Sequence, residues 1–351
     1  MTEYSFLDRV LHRAALQFRP IAELSFDLDQ AATSNPQAIA SERHVFVSGL
    51  ARAGTTILMR RIYQSGSFCS LTYRNMPFVL APNMWKKLTR LSGSERPTET
   101  KERAHGDRIR VNADSPESLD EVFWRVFDGE NYIHLNHFVP HNPDQDLAAK
   151  YVAYVNAILT SDRESRNRYL SKNNNNLLRL KTIKKCLPQA IILVPFRAPL
   201  AHANSLLRQH RNFTEQQKSD GFVRNYMRWL AHHEFGLDHK PFRFDMEGAQ
   251  RLSAYAPHDL NYWLELWFQT YNWLERTAPA DVVYVCYEDL CRKPDIWAQI
   301  ASFLEIDLDE QSDFTFIMGA AGPEASASTD LINDCMSLYN RLRDRASSFC
   351  R

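Results

Sequence analysis

The 351-residue sequence has little glycine and no excess of charge of either sign. Only 11 residues are Gly, and 42 Lys and Arg residues balance 42 Asp and Glu residues, so the formal net charge is zero. Hydrophobic residues make up 44% and charged residues 24%, which is ordinary for a globular protein. This composition argues against intrinsic disorder, a collagen-like repeat and a general nucleic-acid binder, so any basic site must be local.

The sequence also lacks a secretory signal, long apolar runs and paired cysteines. Charged side chains interrupt the apolar residues of the first 18 positions, at Glu3, Asp8, Arg9 and Arg13. A secretory signal needs an uninterrupted apolar run, and no stretch approaches the roughly 20 apolar residues of a membrane span. The six cysteines form no CxxC pair and have no nearby His at zinc-ligand spacing. We therefore expect reduced thiols in a cytoplasmic protein.

Apolar periodicity divides the sequence into an N-terminal helical arm, residues 1–43, and a longer domain, residues 44–351. The arm predicts one or two helices, because apolar residues recur at helical spacing until Pro20. In the longer domain, helical patterns separate apolar runs typical of buried strands, at residues 44–50, 190–196 and 281–287. This alternation predicts a three-layer α/β fold with a mostly parallel central sheet flanked by helices.

A polar insertion, residues 86–118, separates the first two of these runs, and long loops of this kind often lie over an enzyme site. After it, Ser115-Pro116-Glu117 predicts the start of a helix that ends near Phe127, because Pro is favoured in a first helical turn. Residues 131–139 suggest another strand. Further helices are predicted at residues 55–64, 147–170, 199–209, 222–235, 258–277, 294–304 and 330–346.

The segment Gly49-Leu50-Ala51-Arg52-Ala53-Gly54-Thr55-Thr56 joins the first predicted strand to a helix. Glycines five residues apart let backbone N–H groups face an anion, and the helix N-terminus adds its positive dipole end. A loop that serves nucleoside triphosphate hydrolysis has Lys after the second Gly, where this sequence has Thr55. The cation is instead Arg52. The pattern predicts phosphate binding without metal-assisted attack on a γ-phosphate; the alternative is a plain tight turn.

A second phosphate-binding pattern follows the apolar run that ends at Phe196. Arg197-Ala198-Pro199 leads into a predicted helix, and Ser205 lies on that helix eight residues after Arg197. A guanidinium at a strand end and a hydroxyl on the next helix can converge on one phosphate. Its position in a second strand–helix unit, downstream of the Gly-bearing loop, makes the combination more specific than either pattern alone.

These segments resemble those of sulfotransferases, in the same order, over residues 44–304. The loop is similar to their 5′-phosphosulfate loop, P-[RK]-S-G-T-[TS], in the Arg-containing form of the protein-tyrosine and polysaccharide sulfotransferases. Arg197-x-Pro…Ser205 is similar to their 3′-phosphate site, R-D-P-x₅-S, and residues 281–304 resemble their late strand, Y-E-D-L turn and Pro-started helix. Three residues depart from the family pattern: Ala51, Ala53 and Ala198 stand where Pro, Ser and Asp are usual.

The resemblance implies a P-loop-type fold and 3′-phosphoadenosine 5′-phosphosulfate as sulfuryl donor, with adenosine 3′,5′-bisphosphate as product and no metal. The implied acceptor is a hydroxyl of a carbohydrate or similar small molecule. Arg197 and Ser205 would bind the 3′-phosphate, and Arg52 would also neutralise charge at the sulfuryl group. The 5′-phosphate would be held by the backbone N–H groups of Arg52, Ala53, Gly54, Thr55 and Thr56, the last two adding hydroxyls.

Sulfuryl transfer also needs cations near the moving group and a base for the acceptor hydroxyl. Lys172 resembles the lysine that related enzymes aim at the sulfuryl group; the alternative is a solvated loop lysine. In tyrosine-sulfating relatives a Glu lies about twenty residues beyond the loop Arg, but the matching residues 71–75 contain no carboxylate. The candidate bases are instead Glu117, Glu121 and His105, each of which could equally be a surface or capping residue.

The remaining polar and aromatic patterns are interpreted mainly as structural. His134, His137 and His141 lack Cys or carboxylate partners at ligand spacing, so we interpret them as strand-edge or core histidines. Arg74 could bind an anionic acceptor, and the aromatic residues between 229 and 273 predict helix core. Two other functions stay open: a nucleotide-dependent phosphotransferase, despite the missing GK[ST], and a non-catalytic nucleotide-binding protein, because the early carboxylate is missing.

Overall fold

The computed structural model describes residues 6–33, 42–91, 101–102, 110–162, 164, 166–307, 315–318 and 327–349. The strands are β1 (Val45–Val47), β2 (Phe68–Cys69), β3 (Lys101–Glu102), β4 (Arg110–Val111), β5 (Arg168–Lys172), β6 (Ile191–Phe196) and β7 (Val283–Cys286). The helices are α1 (Phe6–Gln17), α2 (Arg19–Ala32), α3 (Thr55–Tyr63), α4 (Pro82–Leu91), α5 (Glu121–Tyr132), α6 (Gln145–Ser161), α7 (Leu180–Cys186), α8 (Pro199–Ser219), α9 (Gly221–Trp229), α10 (Met246–Ser253), α11 (Leu260–Thr277), α12 (Tyr287–Arg292), α13 (Pro294–Phe303) and α14 (Thr329–Phe349).

Five strands form one parallel sheet in the order β2-β5-β1-β6-β7, and β3 pairs with β4 in a separate antiparallel ladder. The central strand β1 pairs with both β5 and β6, so that Val47 lies opposite Lys172 on one side and Leu193 on the other. Helices cover both faces of this sheet. The predicted three-layer α/β fold with a mostly parallel sheet is confirmed.

The alternation of side chains along the strands divides the core into two layers. Val45, Val47 and Leu170 face one layer, which includes residues of α3 and α13. Phe46 and Tyr169 face the other, in which α5, α6, α8, α11 and α14 pack. Because both faces are covered, the central strands β1 and β6 are apolar on both sides, as the predicted run at residues 190–196 indicated.

Several predicted boundaries are wrong where the chain pairs differently from its local pattern. The helix predicted from Ser115 begins at Glu121, because Pro116 forms an isolated antiparallel bridge with Thr72. Residues 131–139 take part in two isolated bridges, Ile133 with Phe138 and Phe138 with Phe242, rather than in a strand. The helix predicted to run to residue 170 ends at Ser161, and β5 follows it.

Aromatic and polar contacts hold the first two helices against the rest of the molecule. The first helix ends at Gln17, and Pro20 lies in the first turn of α2. Phe26 packs against the rings of Phe123, Phe127 and Tyr154, with centroid distances of 6.0, 5.1 and 6.3 Å. Asp29 Oδ1 accepts a hydrogen bond of 2.6 Å from the backbone N–H of residue 84. The division into an arm, residues 1–43, and a domain, residues 44–351, stays a prediction.

Candidate functional site

The Gly-bearing loop lies at the carboxyl end of β1, in the middle of the sheet. Gly54 caps α3 with a φ of 94°, and Arg52 also adopts a positive φ, of 69°. A Cβ atom on Gly54 would lie 2.4 Å from the ring of Tyr287, and one on Gly49 would lie 2.8 Å from the carbonyl oxygen of Pro195. Other segments of the protein approach the loop so closely at these two positions that both must be glycine.

The structure brings Arg52, Arg197 and Ser205 together. Arg197 Nη1 donates to the carbonyl oxygen of Arg52 over 3.2 Å, and Arg52 Nε donates to Ser205 Oγ over 3.4 Å. Burial lowers the pKa of His202 to about 3, so its neutral ring donates from Nε2 to the carbonyl oxygen of Ala51 over 2.8 Å. The positive charge beside the loop therefore comes from arginine rather than from this histidine.

Arg197 has hydrogen-bonding capacity that the described residues do not use. Its buried Nε has no hydrogen-bond partner among them, and the nearest carboxylate oxygen, Glu288 Oε1, is 4.0 Å away. That oxygen instead accepts from the backbone N–H of Ala198 over 3.1 Å. The buried Ser48 Oγ, at the start of the loop, is likewise unpartnered within the described ranges. An unsatisfied guanidinium N–H beside a loop with two required glycines fits a bound anion.

Lys172 is brought to the loop by β5, the strand that the sequence pattern missed. Its side chain is 8% exposed and its Cα lies opposite Val47, the last residue of β1. The next backbone N–H, of Asn173, donates to the carbonyl oxygen of Val47 over 3.1 Å. Lys172 is therefore a residue of the sheet next to the loop rather than a solvated loop residue.

Glu121 is held in a buried polar cluster. Its side chain is 1% exposed, and its two oxygens accept from Arg179 over 2.8 and 2.9 Å. Asn173 Nδ2 donates to it over 2.7 Å, and the Tyr132 hydroxyl donates as well. Burial alone would raise the pKa of Glu121, but the Arg179 guanidinium outweighs burial and lowers it. Both oxygens of Glu121 are therefore occupied by hydrogen bonds within the buried cluster, which leaves neither of them to accept a proton from an acceptor.

The other two candidate bases have different positions. Glu117 is half-buried and accepts from the Tyr73 hydroxyl and from the backbone N–H of Ser118, each over 3.0 Å. These bonds tie it to the chain that follows the edge strand β2. His105 lies outside the described residues. Arg74, considered for an anionic acceptor, is engaged by both carboxylate oxygens of Asp114.

The three histidines do not converge. His134 and His137 stack on each other with ring centroids 4.8 Å apart, while the buried His141 contacts Asp128 and accepts from Arg179 over 2.8 Å. Within the described ranges, no three His, Cys, Asp or Glu side chains form a group that could hold a metal ion. No helix in the part of the chain that the structure describes combines the length and apolar character needed to span a membrane.

Sequence reasoning missed two polar residues beside the loop, Asn174 and Glu234. Asn174 belongs to a run of four Asn residues, 173–176, all of which are buried. Sequence analysis assigned this run no role, although four consecutive Asn residues were the one local feature that pointed to it. Asn174 Oδ1 accepts from Thr55 Oγ1 over 3.5 Å, and its Nδ2 donates to Glu234 Oε1 over 3.0 Å. Glu234, with Leu50 and Ala51, lines a narrow crevice. No local signal singled out this glutamate.

The comparisons with known proteins agree with this geometry. Residues 44–240, more than half of the chain, match the family model described as "Sulfotransferase family". Among solved structures, sulfotransferase STF1 from Mycobacterium tuberculosis is 13% identical, with a TM-score of 0.51, over 98% of this chain and 87% of that one. Sulfotransferase STF9 from Mycobacterium avium is 13% identical over the same shares, with a TM-score of 0.48.

The structural likeness to STF1 supports the fold alone, because the identity is low. No curated protein sequence matches the chain significantly. The family model, however, spans the loop, β5, Lys172, Arg197, Ser205 and Glu234 in one continuous match. The chain belongs to the sulfotransferase family.

Proposed function

We propose that the protein transfers a sulfuryl group from 3′-phosphoadenosine 5′-phosphosulfate to a hydroxyl of a saccharide or another small molecule. Membership of the family supports sulfuryl transfer in general. The observation that carries the choice of donor is the convergence of the two phosphate-binding patterns. Arg197 contacts the carbonyl oxygen of Arg52, and Arg52 contacts Ser205, so groups suited to two phosphates line one continuous site.

Each end of the donor would be held by a different segment. The backbone N–H groups of residues 52–56, at the N-terminus of α3, would hold the 5′-phosphate, with the hydroxyls of Thr55 and Thr56. Arg197, through its unpartnered Nε, and Ser205 would hold the 3′-phosphate. When bound, the donor supplies an activated sulfuryl group.

Two cations would act on the charge that develops during transfer. Arg52 lies within the loop, and Lys172 lies beside it at the end of β5. Fixed positive groups in a partly buried site stabilise developing negative charge because little reorganisation is needed when the reaction occurs. We therefore assign both side chains to the sulfuryl group and the leaving phosphate oxygen.

Glu288 supports the position of Arg197. Ala198 stands where the family pattern has Asp, and Glu288 Oε1 accepts from the backbone N–H of Ala198 while lying 4.0 Å from Arg197 Nε. Tyr339 donates to the other oxygen of Glu288 over 3.2 Å. We infer that a carboxylate from α12 orients the start of α8 at a position where the usual Asp is missing.

Calorimetric titration tests the donor assignment. We expect adenosine 3′,5′-bisphosphate to bind more tightly than ATP with Mg²⁺, because a 3′-phosphate site is present and a GK[ST] lysine is not. Arg197→Ala should weaken the bisphosphate about 10- to 100-fold, the effect of one charge-assisted contact. Arg208→Ala, an exposed arginine on the same helix, is the matched control and should bind as the wild type does. Equal or Mg²⁺-dependent binding of ATP would contradict the proposal.

A further inference from the structure

No carboxylate follows the loop at the expected distance in the sequence, but the carboxylate of Glu234 lies near the loop in space. Glu234 is two hydrogen bonds away from the first residue of α3, through Asn174 to Thr55. It also lines the crevice that Leu50 and Ala51 of the loop help to form. Its carboxylate is therefore linked by hydrogen bonds to the loop that forms the proposed sulfuryl site.

The Glu234 carboxylate has hydrogen-bonding capacity that the described residues do not use. The side chain is half-buried, and among the described residues only Asn174 hydrogen-bonds to it, at Oε1. Glu121 is enclosed by Arg179, and both oxygens of Glu288 accept hydrogen bonds. Of these three carboxylates, Glu234 alone combines partial exposure with an oxygen that has no described partner.

The segment that carries Glu234 is held in place from both ends. Ala231 adopts a φ of 53°, and its carbonyl oxygen accepts from the buried Asn175 Nδ2 over 3.2 Å. Beyond Glu234, the backbone N–H of Lys240 donates to the carbonyl oxygen of His233 over 2.9 Å. These contacts fix the backbone on both sides of Glu234. A catalytic side chain needs such support, because it must be aligned with the reacting atoms before the reaction begins.

We propose that Glu234 is the general base of the transfer, an inference that rests on the proposed function. The proton of the acceptor hydroxyl passes to Glu234 Oε2 while the acceptor oxygen forms a bond to the sulfur of the donor. The bond between that sulfur and the leaving phosphate oxygen breaks, and its electron pair stays on the phosphate. Glu234 then releases its proton to water, which restores the carboxylate.

The first test uses Glu234→Gln, which keeps an oxygen that can accept from Asn174 but cannot take up a proton at neutral pH. The rate at which labelled sulfate is transferred to phenol, and the rate at which it is transferred to water, should each fall about 10²- to 10⁴-fold. The affinity for adenosine 3′,5′-bisphosphate should stay within about twofold of the wild type, since no donor contact is lost. Glu215→Gln, which removes a carboxylate exposed by 73% on α8, is the control and should leave both quantities unchanged.

Two further readouts separate a base from a residue that merely supports the fold. With 4-nitrophenol, which is far more acidic than phenol and is mostly ionised at mildly alkaline pH, the loss in Glu234→Gln at that pH should be at least tenfold smaller than with phenol, because little proton transfer is needed. Added formate should restore part of the transfer activity of Glu234→Ala, because a small carboxylate can occupy the emptied position. A structural defect would lower transfer to both phenols equally and would not respond to formate.

The outcomes distinguish this inference from the one on which it rests. Failure of the wild type to bind the bisphosphate would overturn the proposed donor and the base with it. Intact bisphosphate binding with wild-type transfer rates in Glu234→Gln would overturn the base alone. Intact binding with equal losses for phenol and 4-nitrophenol, and no formate rescue, would also overturn the base while leaving the donor site in place.

Discussion

At the residue scale, Gly54 combines two demands that a side chain cannot meet. Its φ of 94° is a conformation that residues with a Cβ adopt only with strain, and Tyr287 occupies the space into which a Cβ would extend. Gly66 has a similar φ, of 73°, but nothing lies within 4 Å of a Cβ built there. Comparing substitutions at the two positions therefore separates the cost of backbone strain from the cost of steric overlap.

We expect Gly66→Ala to lower the free energy of unfolding by about 1 kcal/mol, the cost of the backbone conformation alone. Gly54→Ala should cost about 3 kcal/mol, because the ring of Tyr287 must also move. Urea unfolding measures both losses, and calorimetry should show weaker bisphosphate binding only for Gly54→Ala. Equal losses at the two glycines would mean that the Tyr287 ring moves aside freely.

At the element scale, β5 is a strand with a buried polar face. The Ser171 hydroxyl and Asn173 Nδ2 donate to the two oxygens of Asp120, over 2.6 and 3.1 Å, and the Tyr169 hydroxyl donates over 3.3 Å. Asp120 immediately precedes α5 but makes no capping hydrogen bond to it. One carboxylate thus joins the start of α5 to the strand that carries Lys172.

This arrangement predicts a pH dependence of stability. Burial raises the pKa of Asp120 to about 6, although the hydrogen bond from Ser171 opposes the shift. The folded protein therefore holds a proton that the unfolded chain releases near pH 4, so the contribution of Asp120 to stability is greatest below pH 4 and is lost as the pH rises through about 6. Relative to Asp120→Asn, the wild type should lose up to about 1.4 kcal/mol per pH unit across this window.

Urea unfolding of both proteins at several pH values measures this difference in the free energy of unfolding. The contributions of groups that titrate in both proteins cancel in the difference. Glu121 contributes in the opposite sense: its pKa is lowered, so its stabilising effect is lost as the pH falls. Parallel curves for wild type and Asp120→Asn between pH 4 and 6 would show that Asp120 is ionised throughout.

The same strand shows where prediction from sequence ended. The apolar runs at β6 and β7 and the loop between β1 and α3 could be predicted, because their signals are local in the chain. Strand β5 could not, because its polar residues bond to Asp120, just before α5, a partner that no local pattern reveals. Glu234 was missed for a similar reason: its link to Thr55 joins segments that are 119 and 60 residues apart.

At the scale of the whole molecule, the helices of the arm contribute to one of the two core layers. Phe26 is 3% exposed and packs on α5 and α6. Phe26→Ala should therefore lower the free energy of unfolding by about 3–5 kcal/mol. Leu24→Ala, on the same helix but 59% exposed, should change it by less than about 0.5 kcal/mol.

Fluorescence of the core residues Trp263 and Trp267 and far-ultraviolet circular dichroism would follow this unfolding. If the arm folds with the sheet, both signals should shift together in Phe26→Ala. A separate early transition in circular dichroism, with tryptophan fluorescence unchanged, would instead show an arm that unfolds on its own and would support the division at residue 43.

The strand order has a consequence for how the protein is made. β1 is synthesised first, but both of its neighbours in the sheet are synthesised much later; His44 and Tyr169, which are joined by a hydrogen bond beside this pairing, are 125 residues apart. A ribosome-bound chain therefore carries the Gly-bearing loop on a strand with two unpaired edges until β5 and β6 emerge. Such non-local pairing slows folding, and the surroundings of the loop can form only after both neighbouring strands have been synthesised.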